Sequence, residues 1–150
     1  MSSLAQTQSR IRDALEKSRV IAVVGLSPNP ARPSHGVARF LQQKGHRILP
    51  VNPGHAGREI LGETVHASLS AIPESVGPVQ MVDIFRRSEA AGAVVDEALE
   101  ALGHRGLEFI WMQLGVIDHD AADRAEARGV VTIMDRCPAI EYDRVMQGER

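Results

Sequence analysis

Glycines, amides, hydroxyls and arginines recur in this chain directly after short apolar runs, and that placement is its main chemical signal. Gly25-Leu26-Ser27-Pro28-Asn29-Pro30-Ala31-Arg32-Pro33 follows the run Val20-Ile21-Ala22-Val23-Val24. Asn52-Pro53-Gly54-His55 follows Leu49-Pro50-Val51, and Arg86-Arg87-Ser88 follows Met81-Val82-Asp83-Ile84-Phe85. Met112-Gln113-Leu114-Gly115 follows Leu107-Glu108-Phe109-Ile110-Trp111, and Asp135-Arg136-Cys137-Pro138 closes the series. A glycine leaving a strand lets the backbone turn sharply and lets a ligand come close. A helix starting behind it offers unpaired N–H groups and the positive end of its dipole to an anion. Arginine adds a planar fork that matches phosphate. One such glycine reads as a tight turn; the whole set reads as a site for a phosphate-bearing ligand.

The same residues argue against several other chemistries. A dinucleotide fingerprint needs three glycines in the first loop and an acid at the end of the second strand. Here Ser27 and Pro30 hold the second and third glycine places, and the second strand ends at Asn52. The six histidines form no His-x-x-x-His pair and the chain has no Cys-x-x-Cys, so no metal site is expected. Cys137, the single cysteine, excludes an internal disulfide and fits a reducing cytoplasm. It lacks a neighbouring histidine to activate it and is read as structural. Asp83 sits inside an apolar run and is read as facing the crevice or capping a loop. Of Arg86 and Arg87, adjacent residues that point in opposite directions, one is expected as the principal phosphate contact. Arg32 is the further candidate.

These groups need a scaffold that brings strand ends together. The apolar runs are short and β-branched, as in strands buried on both faces of a parallel sheet. Strands are predicted at 20–24, 46–51, 81–85, 107–111 and 130–134. A helix from about Ser34 has Pro33 in its first turn and Gly45 at its end. A second begins at Ser88, read as its cap, and stops at Gly103. A third runs over about 118–128 to Gly129, and an opening helix covers roughly 4–17. Residues 55–78 carry no clear pattern beyond a short helical turn near Leu69 and Ile72. Strands alternating with helices specify right-handed crossovers, hence an α/β, Rossmann-like, doubly wound parallel sheet of about five strands. At 150 residues with no dividing linker, the chain is read as one domain. Such sheets hold ligands outside the carboxyl ends of their strands, where the polar segments lie.

Composition narrows the partners. Aromatics are 3% of the chain and the formal net charge is -2, so neither base stacking nor a basic footprint supports nucleic-acid binding. No apolar stretch reaches the length of a membrane span, and residues 1–10 carry no signal core. The chain is expected to be cytoplasmic.

The blocks Ile21-Ala22-Val23-Val24-Gly25-Leu26-Ser27, Leu49-Pro50-Val51-Asn52-Pro53, Val82-Asp83-Ile84-Phe85-Arg86-Arg87, Trp111-Met112-Gln113-Leu114-Gly115 and Asp135-Arg136-Cys137 occur in this order. Together they closely resemble the stand-alone CoA-binding domain proteins, over roughly 19–143. That family is similar to the CoA-binding domain of the succinyl-CoA synthetase α subunit. The resemblance implies CoA across the carboxyl edge of the sheet. Gly25, Leu26, Ser27 and Pro28 would form the first contact loop, beside the phosphates. Asn52, Pro53 and His55 would line the second loop. Phe85, Arg86 and Arg87 would flank the adenosine and pantetheine path, with Gln113 and Gly115 near the thiol end. His55 departs from the synthetase pattern, which has lysine there. The synthetase's phosphohistidine domain and nucleotide-binding subunit have no counterpart in this sequence, so ligase activity is not expected.

The favoured reading is therefore a non-catalytic CoA or acyl-CoA binding protein, with a protein partner possible. The alternatives are an NAD(P)-binding Rossmann oxidoreductase, an acyl-transfer enzyme using Cys137, and an interaction protein whose pocket has lost its ligand.

Overall fold

A computed structural model describes residues 3–146, with side chains from residue 6 onward. The chain opens with α1 (Ser3–Lys17) and enters β1 (Val20–Val24). It continues through α2 (Pro33–Gln43), β2 (Arg47–Val51), and a hairpin of β3 (Glu59–Ile60) and β4 (Glu63–Thr64). Then come β5 (Met81–Ile84), α3 (Ser88–Leu102), β6 (Phe109–Met112), α4 (His119–Ala127), β7 (Val131–Ile133) and α5 (Pro138–Glu141). A wider helical turn over Tyr142–Met146 follows.

β2, β1, β5, β6 and β7 lie side by side in that order, all parallel, and form the predicted five-stranded doubly wound sheet. Alternate strand residues feed two cores. Ala22, Val24, Val82, Ile84, Ile110 and Met112 pack against Val95, Leu99 and Leu102 of α3 and Ala121 and Ala125 of α4. Ile21, Val23, Met81, Phe109, Trp111 and Ile133 pack against Ile11 and Leu15 of α1 and Ala38 and Leu41 of α2. Both faces are covered, which is why the strands read as unbroken apolar runs.

The helix ends follow local chemistry. Pro33 occupies the first turn of α2, where a missing N–H costs nothing. Asp118 caps α4, its Oδ1 accepting from the Ala121 N–H at 3.0 Å. Gly45 and Gly129 leave their helices left-handed, at φ +104° and +79°. β1 has the expected limits, β2, β5 and β7 are one residue shorter at one or both ends, and β6 begins two residues later and ends one residue later than expected. Ser88 is a correction: Arg87 occupies the cap position of α3 without a side-chain bond, and the Ser88 hydroxyl is used elsewhere. The unpatterned segment 55–78 holds the β3–β4 hairpin, a bridge from Val51 to His66, and short helical turns. The turn at Leu69–Ala71, closed by the Ser68 hydroxyl, is the one anticipated near Leu69 and Ile72.

Candidate functional site

From β1 the chain winds outward to β2, and from β5 it winds the other way through β6 to β7. The sheet reverses direction between β1 and β5, and a ligand crevice forms outside the carboxyl ends of strands at such a reversal. Gly25 and Phe85 leave the sheet there. The two exits are pressed together, with the Phe85 N–H bonded to the Val24 carbonyl at 2.8 Å. A Cβ on Gly25 would lie 2.3 Å from the Phe85 carbonyl oxygen, and Gly25 itself has φ +90°. Glycine is required here by this approach of two backbones.

Two clefts open at this point and share Phe85. The first, about 330 Å³, is lined by Gly25, Ser27, Arg32, Pro33, Ser34 and Phe85. The second, about 410 Å³, is lined by Phe85, Arg86, Arg87, Gln113, Leu114, Gly115 and Val116. Eight of the sequence-predicted residues therefore converge: Gly25, Ser27, Arg32, Phe85, Arg86, Arg87, Gln113 and Gly115.

The first loop is braced by its own side chains. The Ser27 N–H donates to the Ser34 hydroxyl at 3.0 Å and the Asn29 N–H to the Ser27 hydroxyl at 3.1 Å. The Ala31 N–H donates to Asn29 Oδ1 at 2.9 Å. His35 Nδ1 lies 3.0 Å from the Ser27 carbonyl, which can only accept, so that nitrogen carries the proton. These bonds hold the loop over the N-terminus of α2 and set exposed Arg32 at its mouth.

The remaining predicted residues sit around the clefts without lining them. Leu26 is fully buried in the α1–α2 core, so its side chain supports the loop from beneath. Asn52 ties the two loops together: its Nδ2 donates to the Leu26 carbonyl at 3.1 Å and its Oδ1 accepts from the Gly54 N–H at 3.0 Å. Pro28 and Pro53 are exposed, and His55 is half-buried in the turn Pro53–His55. The two arginines differ as their alternation requires. Arg87 has a 91% exposed side chain beside Glu89 at 3.7 Å. Arg86 is half-buried and, like Arg32, has no ion-pair partner among the described residues.

Two residues outside the sequence-derived set shape the second cleft. Gly115 is left-handed at φ +81°, and its N–H donates to Asp135 Oδ1 at 2.7 Å. Its carbonyl accepts from the Ser88 hydroxyl at 3.2 Å, and that hydroxyl accepts from the Ile117 N–H at 3.0 Å. Asp135 reaches Gly115 from a left-handed backbone of its own, φ +58°. An Asp directly after a strand hints at such a conformation, which Asp tolerates better than most residues. Nothing in the sequence names its partner across β6 and β7.

Asp83 and Cys137 turn away from the clefts. The Asp83 carboxyl is completely buried between Val23 and Trp111, with neither oxygen hydrogen-bonded, and burial pushes its pKa from 3.8 to about 8. It neither faces the crevice nor caps a loop. Cys137 is buried just before α5 and lines neither cleft.

The chain matches the family model described as CoA binding domain over residues 19–143. It is 37% identical over 136 residues to the uncharacterized protein YneT of Bacillus subtilis, covering 91% of this chain and 94% of that one. The structure of cell-free ID.343 from Thermus thermophilus superposes with a TM-score of 0.82 at 33% identity, covering 92% of this chain and 98% of that one. A hypothetical protein from Pyrococcus horikoshii superposes with a TM-score of 0.81 at 28% identity, over 93% of this chain and 92% of that one. A parallel five-stranded sheet, its clefts at the reversal of strand order, and a match spanning 19–143 agree: this chain belongs to the CoA-binding domain family.

Proposed function

We propose that this protein binds CoA or an acyl-CoA across the carboxyl ends of β1, β5 and β6 and performs no chemistry on it. The carrying observation is the pair of clefts joined at Phe85, in a chain of the CoA-binding domain family. CoA is long, with a diphosphate and a 3′-phosphate at one part and an uncharged pantetheine arm at the other. The first cleft offers Arg32 and the N-terminus of α2 to phosphate, and Arg86 lines the second cleft beside the shared Phe85. The second cleft adds Phe85, Leu114 and Val116, apolar surface suited to the pantetheine arm. For NAD(P), the first loop lacks two of the three glycines, and Asn52 at the end of β2 is committed to Leu26 and Gly54. The non-catalytic reading rests on Cys137, the one strong nucleophile, standing buried and away from both clefts.

Thermal unfolding with CoA, NAD and NADP at equal concentrations tests the ligand. At about 100 times Kd a ligand adds roughly 2.7 kcal/mol to the folded state. For a domain of this size that raises Tm by roughly 5–10 °C. CoA should give this shift and the nicotinamide dinucleotides little; an equal or larger shift with NAD would refute the reading. Incubation with CoA, a carboxylic acid, nucleoside triphosphate and magnesium should yield no thioester, and a time-dependent thioester would show an enzyme.

A further inference from the structure

The loop beside the second cleft exposes more apolar surface than the pantetheine arm of CoA itself requires. Leu114 is 56% exposed and Ile117 is 42% exposed, two of the three large hydrophobic side chains so placed among the described residues. Both stand on the loop between β6 and α4, and Leu114 forms part of the cleft wall. This loop is held in place. Asp135 accepts from the Gly115 N–H, and the Ser88 hydroxyl donates to the Gly115 carbonyl and accepts from the Ile117 N–H. An apolar pair on a pinned loop stays presented to water with no slack by which it could fold inward.

The floor of the same cleft carries a polar clue. Gln113 is 7% exposed and its carboxamide oxygen is buried without a hydrogen-bond partner. A buried acceptor left unpaired is costly and points to a donor supplied from outside the chain. The pantetheine arm carries two amide N–H groups, donors of that kind, on the way from the phosphates to the sulfur. The second cleft thus brings together the Arg86 cation, the orphan acceptor of Gln113 and the apolar wall at Leu114, with Ile117 exposed on the same loop.

We propose that Leu114 and Ile117 hold the aliphatic chain of an acyl-CoA, with Gln113 receiving a pantetheine amide, so that the preferred ligand is CoA carrying an uncharged aliphatic acyl group and not free CoA. The inference rests on the CoA reading above and deepens it. A second copy of the chain is the weaker occupant: two side chains fall far short of the roughly 800 Å² that each partner contributes to a standard interface.

The test is calorimetric titration of CoA, acetyl-CoA, butyryl-CoA and octanoyl-CoA into the parent and into the Leu114→Asn/Ile117→Asn variant, with sedimentation at the same concentrations. A fully buried methylene is worth roughly fourfold in Kd, and half-coverage on an open rim roughly twofold. Octanoyl-CoA should therefore bind the parent roughly tenfold more tightly than butyryl-CoA, and in the variant affinity should no longer depend on chain length. Both replaced side chains are exposed, so the variant is expected to fold, and the chain-length slope is read within each protein. Binding of CoA with no gain along the series would overturn this inference and leave the CoA reading standing. A slope that survives in the variant would also overturn it. So would a flat series in a dimer that the variant dissociates, which would put a second copy on the rim. Failure of every CoA species to bind would instead overturn the CoA reading, and this inference with it.

Discussion

Replacing Asp83 by asparagine should remove a large loss of stability that the protein otherwise suffers as pH rises to neutrality. The carboxyl sits on the central strand β5, fully buried, with both oxygens unpartnered and its pKa raised from 3.8 to about 8 by burial. The folded protein therefore keeps a proton that the unfolded chain releases above about pH 4. Between those values the unfolded state binds fewer protons, so stability falls as pH rises. The contribution is most favourable below about pH 4, is lost progressively up to about pH 8, and is flat beyond. Each pKa unit is worth about 1.4 kcal/mol, so a shift of about four units costs about 6 kcal/mol in full and about 4 kcal/mol by pH 7. Total stabilities of 5–15 kcal/mol make this a dominant effect. Asparagine has nearly the same shape and does not titrate. Urea unfolding followed by circular dichroism from pH 4.5 to 8.5 should show the parent losing several kcal/mol relative to Asp83→Asn. The fixed cost of seating two amide N–H groups cancels when each protein is referred to its own value at pH 4.5. His46 and His66, both lowered by burial, lose stability as pH falls below about 6.5, and do so alike in both proteins. Parallel pH curves for parent and variant would refute the reasoning, because Asp83 would then ionise normally inside the fold.

Three further outcomes test the site. Arg86→Ala should weaken CoA roughly ten- to a hundredfold in calorimetric titration, the loss of one charge-assisted bond of 1.5–3 kcal/mol. Arg87→Ala, 91% exposed and beside Glu89, should change it about twofold or less; equal losses in both would refute the assignment. Gly25→Ala places a Cβ 2.3 Å from the Phe85 carbonyl oxygen at φ +90°, so it should cost roughly 3 kcal/mol or more of folding stability as well as ligand binding. A denaturation midpoint equal to the parent's would contradict that. Asp135→Ala removes the 2.7 Å bond to the Gly115 N–H and leaves alanine at φ +58°. It should lower stability by about 2 kcal/mol, whereas Asp135→Asn, which keeps an acceptor and tolerates that backbone, should recover most of it.

The order and type of elements were legible in the sequence because short β-branched runs alternate with helix-spaced alanines, valines and leucines. That alternation leaves a parallel sheet as the one arrangement that buries every run. The polar segments after each strand were equally legible, since carboxyl ends of a parallel sheet share one edge wherever the strands lie. Which ends meet was decided only by tertiary structure. The order β2-β1-β5-β6-β7 puts Gly25 against Phe85, and no local pattern encodes that neighbour. The same holds for Asp135 and Ser88, whose work lies across the sheet on Gly115, 20 and 27 residues away in sequence. Local reading made Ser88 a helix cap because the alternative partner is invisible at short range. Alternation could say that Arg86 and Arg87 diverge, but only packing shows that Arg86 is the half-buried one. Asp83 failed as a crevice residue for a related reason. Strand periodicity assigns it to one of two faces without saying what covers that face, and here the cover is an apolar core that leaves a carboxyl buried and protonated near neutral pH.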